Sequence, residues 1–192
     1  MHTFIFATNN RHKVDEIRQS VGNDINIITL QEAGINIDIP EPYDTLEENS
    51  KEKARVIYEL TKQNCFSEDT GLEVFALNNE PGVKSARYAG EDANAAKNME
   101  KLLLNMKGVE NRKARFRTVI TLVLQGEYHF FEGICEGYIL NEPIGSEGFG
   151  YDPVFVPDGS DNCFGQMSME EKGKFSHRKK AVQKLINFIN NM

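Results

Sequence analysis

The sequence predicts an α/β fold built on a mixed β-sheet. Three observations lead there: helical and strand-like periodicities interleave, a long hairpin fills residues 114–140, and no linker or repeat divides the 192 residues. Interleaving favours parallel strands, whereas a hairpin makes its two strands antiparallel, so the sheet has to be mixed. A chain of this length buries most of its apolar side chains in one domain, or in one core with a smaller lobe. Residues 1–192 are read as a single domain.

Taken in order, Thr3 to Ala7 reads as a short buried strand that Asn9-Asn10 breaks. Residues 11 to about 21 form a helix with Val14, Ile17 and Val21 at helical spacing. A second strand fits Asn26 to Thr29, and an irregular acidic stretch surrounds Ile37 to Pro42. Thr45-Leu46-Glu47-Glu48 is a capping box that opens a helix to about Lys62. Cys65 to Ser67 is strand-like, and Glu68-Asp69-Thr70-Gly71 has the composition of a turn. Asp92 is expected to cap a helix ending at Lys107-Gly108. Ala114–Leu124 and Tyr128–Leu140 are the clearest strands, joined by Gln125-Gly126-Glu127. In the first of them, Phe116, Ile120, Leu122 and Leu124 alternate with Arg117, Val119, Thr121 and Val123. A glycine-rich loop from Gly145 to Asp152 leads into a strand at Pro153–Val156. Ser168 to Glu171 reads as a turn, and Ser176 begins a last helix that buries Ala181, Leu185 and Ile189.

The formal charge of −7 argues mildly against the basic face that phosphate-dominated nucleic-acid binding requires, but not against a small anionic substrate. Cys65, Cys135 and Cys163 are odd in number and far apart, so neither a disulfide framework nor a zinc site is implied. They read as free buried thiols of a reducing compartment. Met1 to Ala7 is too short an apolar run for a signal peptide, and no stretch approaches the ~20 residues that span a membrane. The expected location is cytoplasmic.

Four segments carry chemistry. Thr8-Asn9-Asn10-Arg11-His12-Lys13 joins a strand to a helix start, where free backbone N–H groups meet phosphate; Lys13 adds charge and Asn10 an amide. By itself this is equally a capped helix start. Glu68 and Asp69 are adjacent carboxylates on a turn, suited to Mg²⁺, and Glu41 is a third oxygen donor. In isolation they read as a solvated turn. Gly148-Phe149-Gly150-Tyr151-Asp152-Pro153 brings backbone close to a ligand and offers Phe149 for stacking on a base, or else as a core ring. His177 and Arg178 open a helix against the preference of its dipole, with Lys172 upstream, which points to an acceptor-rich ligand or to a solvated charge run.

In this order, these segments resemble the inosine triphosphate pyrophosphatase family, the hydrolases of non-standard purine triphosphates. The resemblance spans the chain and includes Glu48-Asn49 with Lys53-Ala54, Pro81-Gly82 and Ser85-Ala86-Arg87-Tyr88. It implies an elongated mixed β-sheet with flanking helices in two lobes, a substrate cleft between them, and a homodimer. Thr8, Asn9, Asn10, Arg11, His12 and Lys13 would cradle the triphosphate together with Lys53. Glu41, Glu68 and Asp69 would surround Mg²⁺, and Asp69 would take the proton of the attacking water. Thr70 would touch the substrate. Phe149, Gly150, Tyr151 and Asp152 would hold base and sugar, with Lys172, His177 and Arg178 closing over the purine.

The implied activity is hydrolysis of ITP, dITP and XTP to monophosphate and pyrophosphate. Donors at Arg178, His177 or the Phe149-Gly150 backbone would pair with a 6-keto group and meet a second donor in ATP. A Nudix hydrolase is excluded because no glutamate-rich Arg-Glu-x-x-Glu-Glu helix occurs. A non-catalytic nucleotide sensor is the alternative; it would keep Lys13 and Phe149 without needing Glu68-Asp69.

Overall fold

Four consecutive apolar residues, Phe4 to Ala7, are all buried, and a strand apolar on both faces must be covered on both. The computed structural model describes residues 2–22 and 24–191; Met1, at the head of the apolar run noted above, lies outside them. Strand β1 (His2–Phe6) sends alternate side chains to two cores. Phe4 and Phe6 pack with Val14 and Ile17 of helix α1 (Arg11–Arg18) and with Ala181, Leu185 and Ile189 of the last helix. Ile5 and Ala7 pack on the opposite side with Ala54 and Ile57, which belong to α2 (Leu46–Thr61). Strand β2 (Ile25–Thr29) runs parallel to β1, with Phe4 opposite Ile27.

The chain forms two compact units: Met1–Asp69, Thr118–Gly133 and Arg178–Met192 in the first, Thr70–Arg117 and Ile134–His177 in the second. Strand β3 (Cys65–Val74) is central to the sheet and contributes residues to both units. It pairs in parallel with β1, and with β4 (Glu80–Gly82) in the antiparallel sense. Helix α3 (Ala95–Asn105) precedes the two long strands β5 (Lys113–Leu124) and β6 (Glu127–Ile139). Gln125 and Gly126, both at positive φ (51° and 91°), make the two-residue connection between them. Strand β7 (Phe155–Pro157) pairs antiparallel with β6, and helices α4 (Met169–Gly173) and α5 (His177–Asn190) complete the chain. The hydrogen-bonded order is β2-β1-β3-β5-β6-β7, with β4 on β3, so the sheet is mixed as expected. Among the described residues no helix is long and apolar enough to cross a membrane. All three cysteines are free and buried.

Several local expectations need correction. Glu68 to Gly71 is not a turn but the middle of β3; its carboxylates are tolerated there because each meets cations from distant parts of the chain. Asn94, not Asp92, caps α3 by accepting from the Lys97 N–H, while Asp92 pairs with the Lys97 ammonium at 2.7 Å. The stretch after Ser168 is one helical turn closed by a capping box with Glu171 rather than an open turn. In β5, Val119, Thr121 and Val123 are as buried as Ile120 and Leu122. Both faces are covered, so alternation carries no inside–outside signal there.

Candidate functional site

In the first unit the site begins at the loop between β1 and α1. Thr8 Oγ1 accepts from the Asn10 N–H at 3.2 Å, and Asn10 Oδ1 accepts from the Lys13 N–H at 3.3 Å, so Asn10 is the N-cap of α1. Asn9 donates through its amide to the Ile37 carbonyl at 3.3 Å, while Arg11 and His12 are exposed. Capping turns α1 so that Lys13 faces β3, where its ammonium lies 2.8 Å from Glu68 Oε1.

Glu68 and Asp69 are neighbours in a strand, so their side chains leave on opposite faces and meet different partners. Glu68 is gripped by Arg178, with Nε 2.7 Å from Oε2 and Nη2 3.2 Å from Oε1. The other side of that guanidinium bonds Glu16 of α1. Arg178 is only 2% exposed. Its place at a helix start, unfavourable to the dipole, is explained by the two carboxylates that enclose it. Asp69 Oδ1 is 3.0 Å from the ammonium of Lys53, which also bonds Glu41. Lys53 lies on the buried face of α2 one residue before Ala54.

The two environments push the neighbouring carboxylates apart. Burial by itself would raise Glu68, but Arg178 and Lys13 outweigh it and hold the carboxyl well below its usual range. For Asp69 burial wins: it lifts the carboxyl above the ordinary aspartate value, helped by Glu41 and opposed by Lys53 and Lys13. Burial likewise works against the charge of Lys53, yet Asp69 and Glu41 together raise it.

The oxygen donors Glu41 and Asp69 face one cation and suit a hard divalent ion. Both oxygens of Glu68 are bonded to Arg178, and one of them also to Lys13. Among the described residues no three His, Cys, Asp or Glu side chains converge as a metal site. Of the expected set, Glu41 and Asp69 both bond Lys53, and Glu68 bonds Arg178 and Lys13. This cluster sets three cations, Lys13, Lys53 and Arg178, against four carboxylates, Glu16, Glu41, Glu68 and Asp69.

The second unit holds a different kind of site. Asp152 Oδ2 accepts from the Phe149 N–H at 2.8 Å and from the Lys172 ammonium at 2.8 Å. Lys172 lies 4.9 Å from the ring centroid of Phe149 and 5.4 Å from that of Phe164, close enough for cation–π attraction. Gly148 is required: its φ is +74°, and a Cβ there would stand 2.0 Å from Asp152 Oδ2. Gly150 follows at φ +63°. His177 stacks on Phe116 at 4.7 Å with planes 13° apart. Tyr151 is buried, and its hydroxyl donates to the Ser85 carbonyl at 2.8 Å. Thr70 follows Asp69 in β3 and is half-buried.

Two supporting residues, Glu16 and Asn49, have roles that the sequence does not assign. Glu16 lies three residues after Lys13 on α1, a spacing that puts both on one helix face and could have revealed it. Asn49 grips Tyr43 at both backbone groups, accepting from its N–H and donating to its carbonyl, each at 2.9 Å. This fastens the irregular segment that carries Glu41 onto α2. No local pattern signals such a contact.

A mixed sheet with a buried carboxylate 3.0 Å from an ammonium, and a ring-lined loop around a buried Lys–Asp pair, fits the class of enzymes that act on small anionic substrates. Within that class, residues 4–188 match the Ham1 family, and the chain belongs to it. A relative from Porphyromonas gingivalis, named dITP/XTP pyrophosphatase, is 50% identical over 98% of each chain. One of the same name from Flavobacterium psychrophilum is 46% identical over 97% of this chain and 98% of the relative. Among solved structures, the Staphylococcus aureus Ham1 protein superposes with a TM-score of 0.90 at 36% identity, covering 98% of both chains. A HAM1 protein from Coxiella burnetii gives 0.92 at 32% identity over the whole of both.

Proposed function

We infer that this chain hydrolyses non-standard purine nucleoside triphosphates (dITP, XTP and ITP) to the monophosphate and pyrophosphate. The observation that carries the mechanism is the place of Asp69: a buried carboxylate 3.0 Å from the Lys53 ammonium, which Glu41 also bonds. A base with a raised pKa is a better proton acceptor for water, whereas Glu68, held low, serves as a fixed charge. Asp69 takes the proton of the attacking water as the anhydride between the α- and β-phosphates breaks and pyrophosphate leaves. Thr8 to Lys13, with Lys53, bind the triphosphate, and Thr70 touches the substrate beside Asp69. Phe149, Gly150, Tyr151 and Asp152 receive base and sugar, with Lys172 and His177 at the purine. Arg178 acts by holding Glu68 and, through it, Lys13.

Mg²⁺ is the proposed cofactor, which Glu41 and Asp69 would hold, with Glu68 beside them in β3. When bound it would supply positive charge against the phosphates. The acidic balance of the whole chain favours a free nucleotide over nucleic acid. We place the enzyme in the cytoplasm as a single-domain homodimer. Light scattering that gives 21.8 kDa at every concentration would contradict the dimer.

The activity is tested by incubating purified protein with a panel of nucleoside triphosphates, with Mg²⁺ and with EDTA. Monophosphate and pyrophosphate from dITP, XTP and ITP, only with Mg²⁺, is the expected result. Diphosphate and phosphate, or binding without turnover, would refute it.

A further inference from the structure

The turn Ser85-Ala86-Arg87-Tyr88 takes no part in the chemistry above, yet one face of α3 is devoted to it. Asn98, Lys101 and Asn105, spaced for one side of a helix, all reach this turn. Asn98 is 3% exposed. Its Oδ1 accepts from the Ala89 N–H at 2.7 Å, and its Nδ2 donates to the carbonyls of Ala86 at 2.8 Å and Ser85 at 3.4 Å. Lys101 donates to the Tyr88 carbonyl at 2.6 Å and sits 4.3 Å from that ring centroid, while Asn105 donates to the Tyr88 hydroxyl at 2.8 Å. From the other side, Ser85 Oγ donates to the Gly82 carbonyl at 2.6 Å and accepts from the Leu72 N–H at 2.9 Å. The Ser85 carbonyl, to which Asn98 donates, also accepts from the Tyr151 hydroxyl at 2.8 Å.

We propose that Asn98 is a positioning residue for purine selection: by fixing the 85–89 turn, it fixes the carbonyl to which Tyr151 anchors the Gly148–Asp152 loop. This rests on the assignment of that loop to the base. Between Gly148 and Asp152 the loop closes on itself, the Phe149 N–H donating to Asp152 Oδ2 and the Asp152 N–H to the Phe149 carbonyl, so it moves as a unit. Its side chains tie that unit to its surroundings. Asp152 ties it to Lys172, and the Tyr151 hydroxyl ties it to the turn that Asn98 holds. A shift of the turn would therefore move the ring of Phe149 and the backbone N–H groups beside it, and these groups read the base.

The test measures kcat and KM for ITP and ATP in Tyr151→Phe, Asn98→Asp and the double variant, with Phe149→Ala as reference and melting temperatures throughout. Tyr151→Phe removes one hydroxyl and little else. Asn98→Asp keeps the acceptor for Ala89 but turns a second oxygen toward two carbonyls. Each single variant is expected to lower the ITP/ATP ratio of kcat/KM by about 3- to 10-fold, the weight of one neutral hydrogen bond, through KM. The double variant should fall no further than the worse single one, because both act through one contact. Lowered melting temperatures with a wild-type ratio, while Phe149→Ala changes it, would overturn the role of Asn98 and leave the loop assignment standing. A wild-type ratio in Phe149→Ala would overturn both.

Discussion

The charged cluster of the first unit and the ring-lined loop of the second hold their functional groups by opposite means. In the first, four carboxylates and three cations bond one another, and the buried guanidinium of Arg178 joins Glu16 to Glu68. In the second, the pair Lys172 and Asp152 sits among Phe149 and Phe164, and His177 stacks on Phe116. An ion-paired network keeps its charges only while every member is present, whereas rings and one pair give a surface that can be trimmed locally. Variants in the first region should therefore alter rate or stability for every base alike, and variants in the second should alter which base is accepted.

The largest effect is expected at Asp69. Asp69→Asn should lower kcat by roughly 10²–10⁴-fold through loss of the proton acceptor alone, equally for ITP and dITP and with the fold retained in circular dichroism. Near-normal single-turnover rates would remove Asp69 from the mechanism. Arg178→Ala comes next. It leaves the buried Glu68 and the partly buried Glu16 without their guanidinium, so stability should fall by about 3–5 kcal/mol, or roughly 10 °C in Tm. Calorimetry that finds no such loss, together with a changed ITP/ATP ratio, would move Arg178 out of the network and over the purine.

A smaller effect concerns pH. Glu68 has its folded pKa depressed by Arg178 and Lys13, so its contribution is complete above the ordinary glutamate value of ~4.3 and is lost as pH falls below it. Glu68→Gln should flatten the acid limb of stability against pH below about 4; an unchanged limb would mean that Glu68 contributes nothing there. The smallest effect is at Cys65, whose thiol burial pushes up to about 12. In the native protein it should resist alkylation at neutral pH, as mass spectrometry after brief reagent exposure would report.

The sequence makes the long strands, the capped α2 and the buried stripe of α5 legible because those features are local: periodicity, a capping box, a glycine turn. What it hides is set by distant partners. Glu68-Asp69-Thr70-Gly71 looks like a turn because two carboxylates seem too costly for a central strand, and only Lys13, Lys53 and Arg178 remove that cost. Strand β5 looks one-sided until α2 covers its second face, where Ser50 bonds Thr121 at 2.8 Å. The candidate site was legible as residue types in order, but not the split between Glu68 and Asp69. Nor were the roles of Asn49 and Asn98 visible, since an amide that grips a remote backbone leaves no mark of its partner in its own neighbourhood.

The division of labour between the two regions is tested most directly by the ITP/ATP ratio of kcat/KM in Lys13→Ala and Phe149→Ala, measured side by side. Lys13 belongs to the ion-paired cluster, so its loss should weaken kcat/KM for both triphosphates and leave their ratio at the wild-type value. Phe149 belongs to the loop, so its loss should bring the ratio toward one. A ratio that moves as far in Lys13→Ala as in Phe149→Ala would contradict the separation of phosphate chemistry from base selection.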